Sequence, residues 1–562
     1  MSEFPKYRAP QSVEIENRVW PTRRIKTPPV MVPVDLRDGN QAFVRPMNVA
    51  TKIRYFNMLC GIGYKEIEVA YPAASSEEFE FVRRLIGDGI VPDDVRINVF
   101  TAARKDLIDK TVGSIAGAKR ATMHCYIATS ELHRRFVFGK TPDEIIRIAV
   151  EGTRMIADAI GEAGMRDRVA YEFSPEEFSD SDIGFIVELG ERVRAAWNPR
   201  GKEDFVLNLP ATVERRPPYE YADMIESFVR RYSGMADTTV SVHAHNDQGC
   251  AVAAAEMAVL AGADRVEGTL AGHGERTGNM DLVTFALNFM SRGIETGLDF
   301  SHLPEITAFI EEVSGIVTNP RTPYAGELVF TAFSGTHQDA IRKGMTQRRE
   351  IGEHFRQGWK MPYLHVDPVD IGRNYDGLVR INSQSGKGGV AYVLESVYGI
   401  PVPKGMQPMV AKAVQAEAEA TGDELTPSEV HRIFREKIVE SPGGMAVGGF
   451  RLQRPAPGGA DRTEVRFEIE AGGRRFEVAG TGVGPIEAAV EAFRSCPACP
   501  AFQFEEYSEH AIGRGASAEA LAFIGLRPDG AENFVYGAGI DGNVNLAAIR
   551  AIANAINHIV AS

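Results

Sequence analysis

The sequence is short of several features that would each have assigned it a class. Cysteine is sparse: Cys60, Cys125, Cys250, Cys496 and Cys499 are an odd set scattered over 562 positions. That is no disulfide framework, and it predicts a reducing compartment. The longest nearly apolar run, Gly249 to Ala263, is 15 residues and contains Glu256, too short for the ~20 residues that span a bilayer. The N-terminus, Met1-Ser2-Glu3-Phe4-Pro5-Lys6, lacks the basic-then-apolar pattern of a secretory signal. Positive charge is in the minority, with 62 Lys and Arg against 76 Asp and Glu and a net charge of −14. Nucleic acid and anionic membrane are therefore unfavoured partners for the chain as a whole. What is present, 44% apolar and 25% charged residues, is ordinary globular composition. These values predict a soluble, cytoplasmic protein of roughly two to four domains.

From about residue 30 to 280, β-rich runs alternate with segments of helical period. Strands are predicted at Val30–Leu36, Lys65–Ala70, Val95–Thr101, Ala121–Ile127, Val169–Phe173, Phe205–Leu209, Thr239–His243 and Arg265–Leu270. Helical stretches such as Ser76–Ile90 and Pro142–Ala163 lie between them. Alternation of this kind implies βαβ crossovers and a parallel sheet, and eight strands in ~250 residues fit a (β/α)8 TIM barrel. A doubly wound open sheet is the alternative, but it needs a Gly-rich phosphate turn after the first strand. Here that strand runs into Asp35-Leu36-Arg37-Asp38-Gly39-Asn40-Gln41.

Beyond residue 310, Pro- and Gly-containing stretches break up shorter helices, and Gly443-Gly444 and Gly448-Gly449 lead to a linker-like segment, Arg454–Gly459. An alternating strand Val465–Ile469, a turn at Gly472-Gly473 and a second strand Arg475–Val478 follow. Gly480–Gly484 before a helix Ile486–Phe493 is echoed by Gly537–Gly542 before Leu546–Ile559. Two such units predict a small pseudo-symmetric α+β domain, whose Gly-rich loops either bind a small carboxylate at helix N-termini or only make tight turns. The expected divisions are an N-terminal extension (1–29), a catalytic barrel (30–325), mostly helical linker subdomains (326–442) and a C-terminal regulatory domain (443–562).

In such a barrel, chemistry belongs at the C-terminal strand ends, and polar residues accumulate there: Arg37-Asp38, His124, Tyr126, Glu172, Ser174, Glu176, Thr212, His243-Ala244-His245-Asn246-Asp247 and the segment Gly272–Asn279. Side chains at i and i+2 of a strand share a face, so His243 and His245 can reach one ion. With Asp38 and Asn279 at other strand ends they predict mixed N/O ligation of Zn²⁺, Mn²⁺ or Mg²⁺. Three or four ligands would leave room for substrate.

Other strings carry less. Gly272-His273-Gly274 lacks the third glycine of a dinucleotide fingerprint, Thr277 standing in its place. Ser385-Gly386-Lys387-Gly388-Gly389 lacks the Ser/Thr and spacing of a phosphate loop. Cys496-Pro497-Ala498-Cys499 has no second ligand pair and reads as a turn.

Asp35–Gln41, His243–Asp247 and Gly274-Glu275-Arg276-Thr277-Gly278-Asn279 together resemble the metal-dependent Claisen-condensing TIM-barrel family, which includes 2-isopropylmalate synthases, homocitrate synthases, citramalate synthases and hydroxymethylglutaryl-CoA lyases. Phe173–Glu176, Asn208–Glu214, Phe333–Ala340 and Asn382–Gly389 are similar to strings of its long-form 2-isopropylmalate synthases, in order along nearly the whole chain.

The resemblance implies condensation of acetyl-CoA with 3-methyl-2-oxobutanoate, the first committed step of leucine synthesis. It implies metal ligands Asp38, His243 and His245 with Asn279 at or near the ion, which would polarise the 2-oxo acid. It gives Arg37 the ketone oxygen that becomes an alkoxide, and His124, Ser174 and Thr212 the substrate's carboxylate and ketone. Candidate bases are Glu176 and His337, with Tyr363 assisting. His337 follows the barrel and in the family reaches the partner subunit's active site, which implies a homodimer; a monovalent cation activator is a further expectation. The C-terminal domain resembles a leucine-binding regulatory and dimerisation domain, with Gly482, Gly484, Gly539 and Asp541 in its loops, so leucine inhibition is expected. His273 departs from the family, which has Asn there. The alternatives are a homocitrate synthase, with Arg104 pairing the second carboxylate of 2-oxoglutarate, a short-barrel lyase, and a non-catalytic leucine sensor on the same scaffold.

Overall fold

A computed structural model of the chain describes residues 13–332, 335–356, 358–373, 387–421, 425–440, 444–453, 462–512, 518–531 and 533–561. The described residues form two compact units, one drawn from those within 1–329 and 366–373, the other from those within 330–365 and 374–562.

In the first unit, all eight expected runs are parallel strands: β1 (Val30–Pro33), β2 (Glu66–Ala70), β3 (Arg96–Ala102), β4 (Ala121–Ala128), β5 (Val169–Glu176), β6 (Phe205–Ala211), β7 (Thr239–Ala244) and β8 (Arg265–Gly268). Their order is β1-β8-β7-β6-β5-β4-β3-β2, and β2 returns beside β1, so the sheet nearly closes into a (β/α)8 barrel. β1 ends sooner than its composition predicts. Asp38 and Gly39 both donate their N–H to the Val34 carbonyl, closing a π-helical turn over Asp35–Gly39 at the barrel mouth. Helix starts obey local rules. Pro142–Glu162 begins after a Thr141–Glu144 capping box, and Ser75 caps Ser76–Gly87. Residues 13–29 pack on this unit, Trp20 being buried with its indole N–H on Asp223 at 2.8 Å; residues 1–12 lie outside the described ones.

The barrel interior is unusually polar. Glu68, Asn98, His124, Glu172, Asn208, Ser241, His243, Arg265 and Glu267 are all buried. Parallel register aligns them in layers: Phe100 with His124, His124 with Glu172, Tyr126 with Ser174, and His243 with Glu267.

The second unit carries two antiparallel three-stranded sheets: β9 (Met445–Gln453), β10 (Thr463–Ala471) and β11 (Arg474–Gly482), then β12 (Phe502–Ile512), β13 (Glu519–Pro528) and β14 (Val535–Asp541). The two expected strand-loop-helix units are present: β11 leads into the helix Pro485–Ser495 and β14 into Val544–Ala561. Gly448-Gly449, which the composition places at the approach to a linker, instead lies inside β9. The β9–β10 register shifts between Arg466 and Glu468, and Gly449 has a positive φ of 62°, so the glycines accommodate a bulge in a strand. Arg454–Gly459 lies outside the described residues. Linker helices pack on the second sheet, Val430 and Phe434 sharing a core with Leu521, Phe523 and Tyr536. Among the described residues no helix is long and apolar enough to cross a membrane.

Candidate active site

The π-helical turn after β1 and the end of β7 bring Asp38, His243 and His245 together. Their donor atoms lie within 4.8 Å of one another and all three side chains are buried. His243 Nε2 is 3.8 Å, and His245 Nε2 3.9 Å, from Asp38 Oδ2. An antiparallel bridge sets Asn279 beside His245, and its amide donates to Asp38 Oδ2 at 2.7 Å and to the His273 carbonyl at 2.9 Å. The loop carrying Asn279 needs its glycines: Gly278 has φ 90°, and a Cβ there would lie 1.9 Å from the Gly272 carbonyl oxygen.

The electrostatics suit a cation. Burial opposes charge on Asp38, but Arg37, His243 and His245 outweigh it and hold the carboxyl down at about 2. Burial and the neighbouring His243 push His245 down to about 4, leaving it neutral and able to ligate. His245 Nδ1 and Asn279 Oδ1 are buried without hydrogen-bond partners, a cost of about 1–3 kcal/mol each unless a ligand compensates. Two imidazoles and a carboxylate with spare buried donors fit a divalent ion.

Around this centre an inner cleft of about 80 Å³ is lined by Arg37, Asp38, Phe100, His124, Tyr126, Ser174, Glu176, Thr212, His243 and His245, among others. Arg37 is held before any substrate arrives: it donates to Asp38 at 2.7 Å and to Glu68 at 2.6 Å, and its guanidinium lies 4.3 Å from the Phe100 ring centroid. His124 Nδ1 is 2.5 Å from Glu68 and Nε2 is 2.7 Å from the Ser174 hydroxyl. The Thr212 hydroxyl accepts the Glu177 N–H at 2.9 Å. Burial, then the adjacent Glu177, raises the Glu176 carboxyl above its ordinary range against the pull of His133 and Arg37. A larger cleft of about 280 Å³ adjoins the outer face of the Gly272–Asn279 loop, between Phe43, His273, Ile316 and Val317.

The remaining candidates are not among the residues lining the inner cleft. His337 and Tyr363 belong to the second unit, where their rings stack 3.9 Å apart and Tyr363 is exposed. Gly482 and Gly539 make close strand–helix approaches: a Cβ would lie 2.6 Å from the Ala488 nitrogen and 2.2 Å from the Ala547 oxygen respectively. Gly484 caps the helix Pro485–Ser495, and Asp541 pairs with Arg550 at 2.9 Å. Arg104 is exposed and paired with Asp106, and is not among the cleft-lining residues. Cys499 donates its N–H to the Cys496 carbonyl in a turn, and burial pushes its thiol up to about 12. The Ser385–Gly389 string falls partly outside the described residues.

Glu68, Arg265 and Glu267, at the floor of the site, carry no motif. Their only sequence signal is a charged residue at alternate positions of short apolar strands, Glu66-Ile67-Glu68 and Arg265-Val266-Glu267. That spacing puts both charges of each strand on one face.

A parallel barrel with a buried two-histidine, one-aspartate donor set and a preset arginine at its mouth defines a metal-dependent barrel enzyme, and residues 29–310 match the family model described as HMGL-like. Residues 327–395 match the alpha-isopropylmalate synthase post-catalytic domain-like model, and 424–560 the LeuA allosteric (dimerisation) domain. Relatives named 2-isopropylmalate synthase are similar over almost the full length. That of Ralstonia nicotianae is 45% identical, covering 99% of this chain and 95% of the relative. Those of Rhodospirillum rubrum and Thermobifida fusca are each 44% identical, covering 99% of this chain and 98% and 97% of theirs. The chain belongs to the 2-isopropylmalate synthase family.

Proposed function

We infer that the chain condenses acetyl-CoA with 3-methyl-2-oxobutanoate and hydrolyses the product thioester, releasing 2-isopropylmalate and CoA. The observation that carries this reading is the convergence of Asp38, His243, His245 and Arg37 on one cleft, in a chain related to these synthases from end to end.

Asp38, His243 and His245, with Asn279 beside them, would hold a divalent cation, which when bound would supply Lewis acidity toward the acceptor ketone. Arg37 stabilises the ketone oxygen as it becomes an alkoxide. Because Asp38, Glu68 and Phe100 already fix the guanidinium, little reorganisation is needed as charge develops. His124, Ser174 and Thr212 hold the acceptor's carboxylate and ketone. Glu176 removes a proton from the acetyl methyl, and its raised affinity for that proton suits a base acting on a weak carbon acid. The methyl carbon bonds to the ketone carbon and the alkoxide is protonated. Water then adds to the thioester carbonyl, and the CoA thiolate leaves and takes up a proton. The larger cleft, with Phe43, Ile316 and Val317 in its lining, suits the pantetheine arm.

The stacked His337–Tyr363 pair is the second candidate for the base, acting in the partner's barrel within a homodimer. Leucine, bound in the C-terminal domain, is the proposed feedback inhibitor. The test is thiol release from acetyl-CoA with a panel of 2-oxo acids. Release with 3-methyl-2-oxobutanoate supports the reading; release with 2-oxoglutarate alone replaces it with homocitrate synthesis.

A further inference from the structure

The residues of the cleft are joined by a run of hydrogen bonds that circles the barrel, and one carboxylate is its junction. Starting at Asp38, the run passes through Arg37 and Glu68 to His124 Nδ1 at 2.5 Å, and from His124 Nε2 to the Ser174 hydroxyl at 2.7 Å. Asn208 Nδ2 donates both to Ser174 Oγ, at 3.0 Å, and to Glu267 Oε2, at 3.1 Å. Glu267 Oε2 also accepts from His243 Nδ1 at 2.7 Å, which leaves His243 Nε2 facing Asp38. The other oxygen of Glu267 accepts from Arg265 at 2.8 Å, and that guanidinium is itself anchored on Glu172 and Ser241.

The proton positions follow from the donors. A carboxylate only accepts, so His243 carries its proton on Nδ1 and presents the lone pair of Nε2. The Asn208 amide donates to Ser174, so the serine hydroxyl points its own proton at His124. An imidazole pinned in this way pays no tautomer or rotation cost when it ligates.

We propose that Glu267 is a positioning residue: it fixes the tautomer and ring plane of His243 and, through Asn208, ties that metal ligand to the Ser174–His124 pair that holds the acceptor. The inference rests on the metal reading above, and it assigns a role to a side chain outside the Asp38–His243–His245 set. Among the described residues, Glu267 is the only carboxylate within ion-pair distance of both His243 and Arg265.

The test is calorimetric titration of the metal-free full chain with Mn²⁺ in the absence of substrate. Glu267→Gln is isosteric; the proposal expects its Mn²⁺ affinity to fall by ~10–100-fold with far-UV circular dichroism unchanged. Asn208→Ala leaves the His243 contact intact. Its Mn²⁺ affinity is expected within ~3-fold of the unsubstituted chain, while KM for the acceptor rises by ~10-fold. A Glu267→Gln chain that binds Mn²⁺ as tightly as the unsubstituted chain overturns the proposal. If Glu267→Gln does not fold, Glu267→Asp, which keeps the charge and shortens the reach, carries the same expectation and the same refutation. Absence of Mn²⁺ binding by the unsubstituted chain would instead overturn the metal reading beneath it.

Discussion

His243 Nε2 stands 3.8 Å from Asp38 Oδ2. That is too long for a hydrogen bond, and short enough for one ion to be held by both atoms. His243→Ala removes one donor while leaving β7 intact. It is expected to lose metal binding by more than ~100-fold and to show no thiol release, with an unchanged circular dichroism spectrum. Near-normal turnover in that variant would remove the metal assignment.

Arg37 is a rigid fork held by two carboxylates and an aromatic face, and a lysine cannot reproduce that geometry. Arg37→Lys is expected to lower kcat by ~10²–10³ with a smaller effect on acceptor KM, because the contact matters most when the oxygen carries full charge. Steady-state kinetics at saturating metal would check this. A change confined to KM would make Arg37 a binding residue only.

Glu176 is pushed above the ordinary carboxylate range by burial and then by Glu177. As the base it must be ionised, so kcat should rise with pH through a pKa above 4.5. Glu176→Gln should lower kcat by ~10²–10⁴ and abolish that limb of the profile. If the limb persists in Glu176→Gln, the base is elsewhere, and the His337–Tyr363 pair becomes the candidate.

Asp35 lies just before the site and bears on stability. Burial raises its pKa from 3.8 to about 7 against the hydrogen bonds from Tyr55 and the Leu270 N–H, and its Oδ2 has no partner. A folded pKa above the unfolded value means the folded state favours the protonated acid. Its contribution is thus complete below about pH 4 and lost as pH rises through 7. Fully ionising the group costs roughly 4 kcal/mol relative to the protonated form. Asp35→Asn should therefore gain stability relative to the unsubstituted chain between pH 5 and pH 8 in urea titrations. A pH-independent difference between the two would contradict the assignment.

In the second unit, β14 lies so close to the helix Val544–Ala561 that a Cβ on Gly539 would sit 2.2 Å from the Ala547 oxygen and 2.6 Å from the Ala551 nitrogen. Gly539→Ala is expected to cost about 3 kcal/mol. Differential scanning calorimetry should show a lower transition for this unit, with Mn²⁺ affinity of the barrel unaltered. An unshifted transition would free Gly539 for a ligand-binding role alone.

The barrel was legible because its strands are β-branched runs bounded by capped helices, and His243 and His245 stood out because i and i+2 share a face. Arg37, Asp38 and Asn279 are legible for a different reason: they follow the C-terminal ends of strands, where a barrel of this kind places its chemistry. Glu267 and Glu68 were not legible as functional residues. A charged residue inside a strand reads as an exposed face until register shows that the face is the barrel interior. β9 is not legible in the sequence because Gly448-Gly449 has the composition of a linker, and only pairing with β10 turns it into a bulge. The pairing of His337 with Tyr363 had no local signal, since the two are brought together across 26 positions of sequence by tertiary contact.

The most direct test of the account is an anomalous difference map from crystals of the full chain soaked in Zn²⁺. The account predicts one strong peak bonded by Asp38, His243 and His245 at ~2.1 Å, with Asn279 alongside and His243 Nδ1 still on Glu267. Those three side chains turned apart around an empty cleft, with any peak elsewhere, would contradict it.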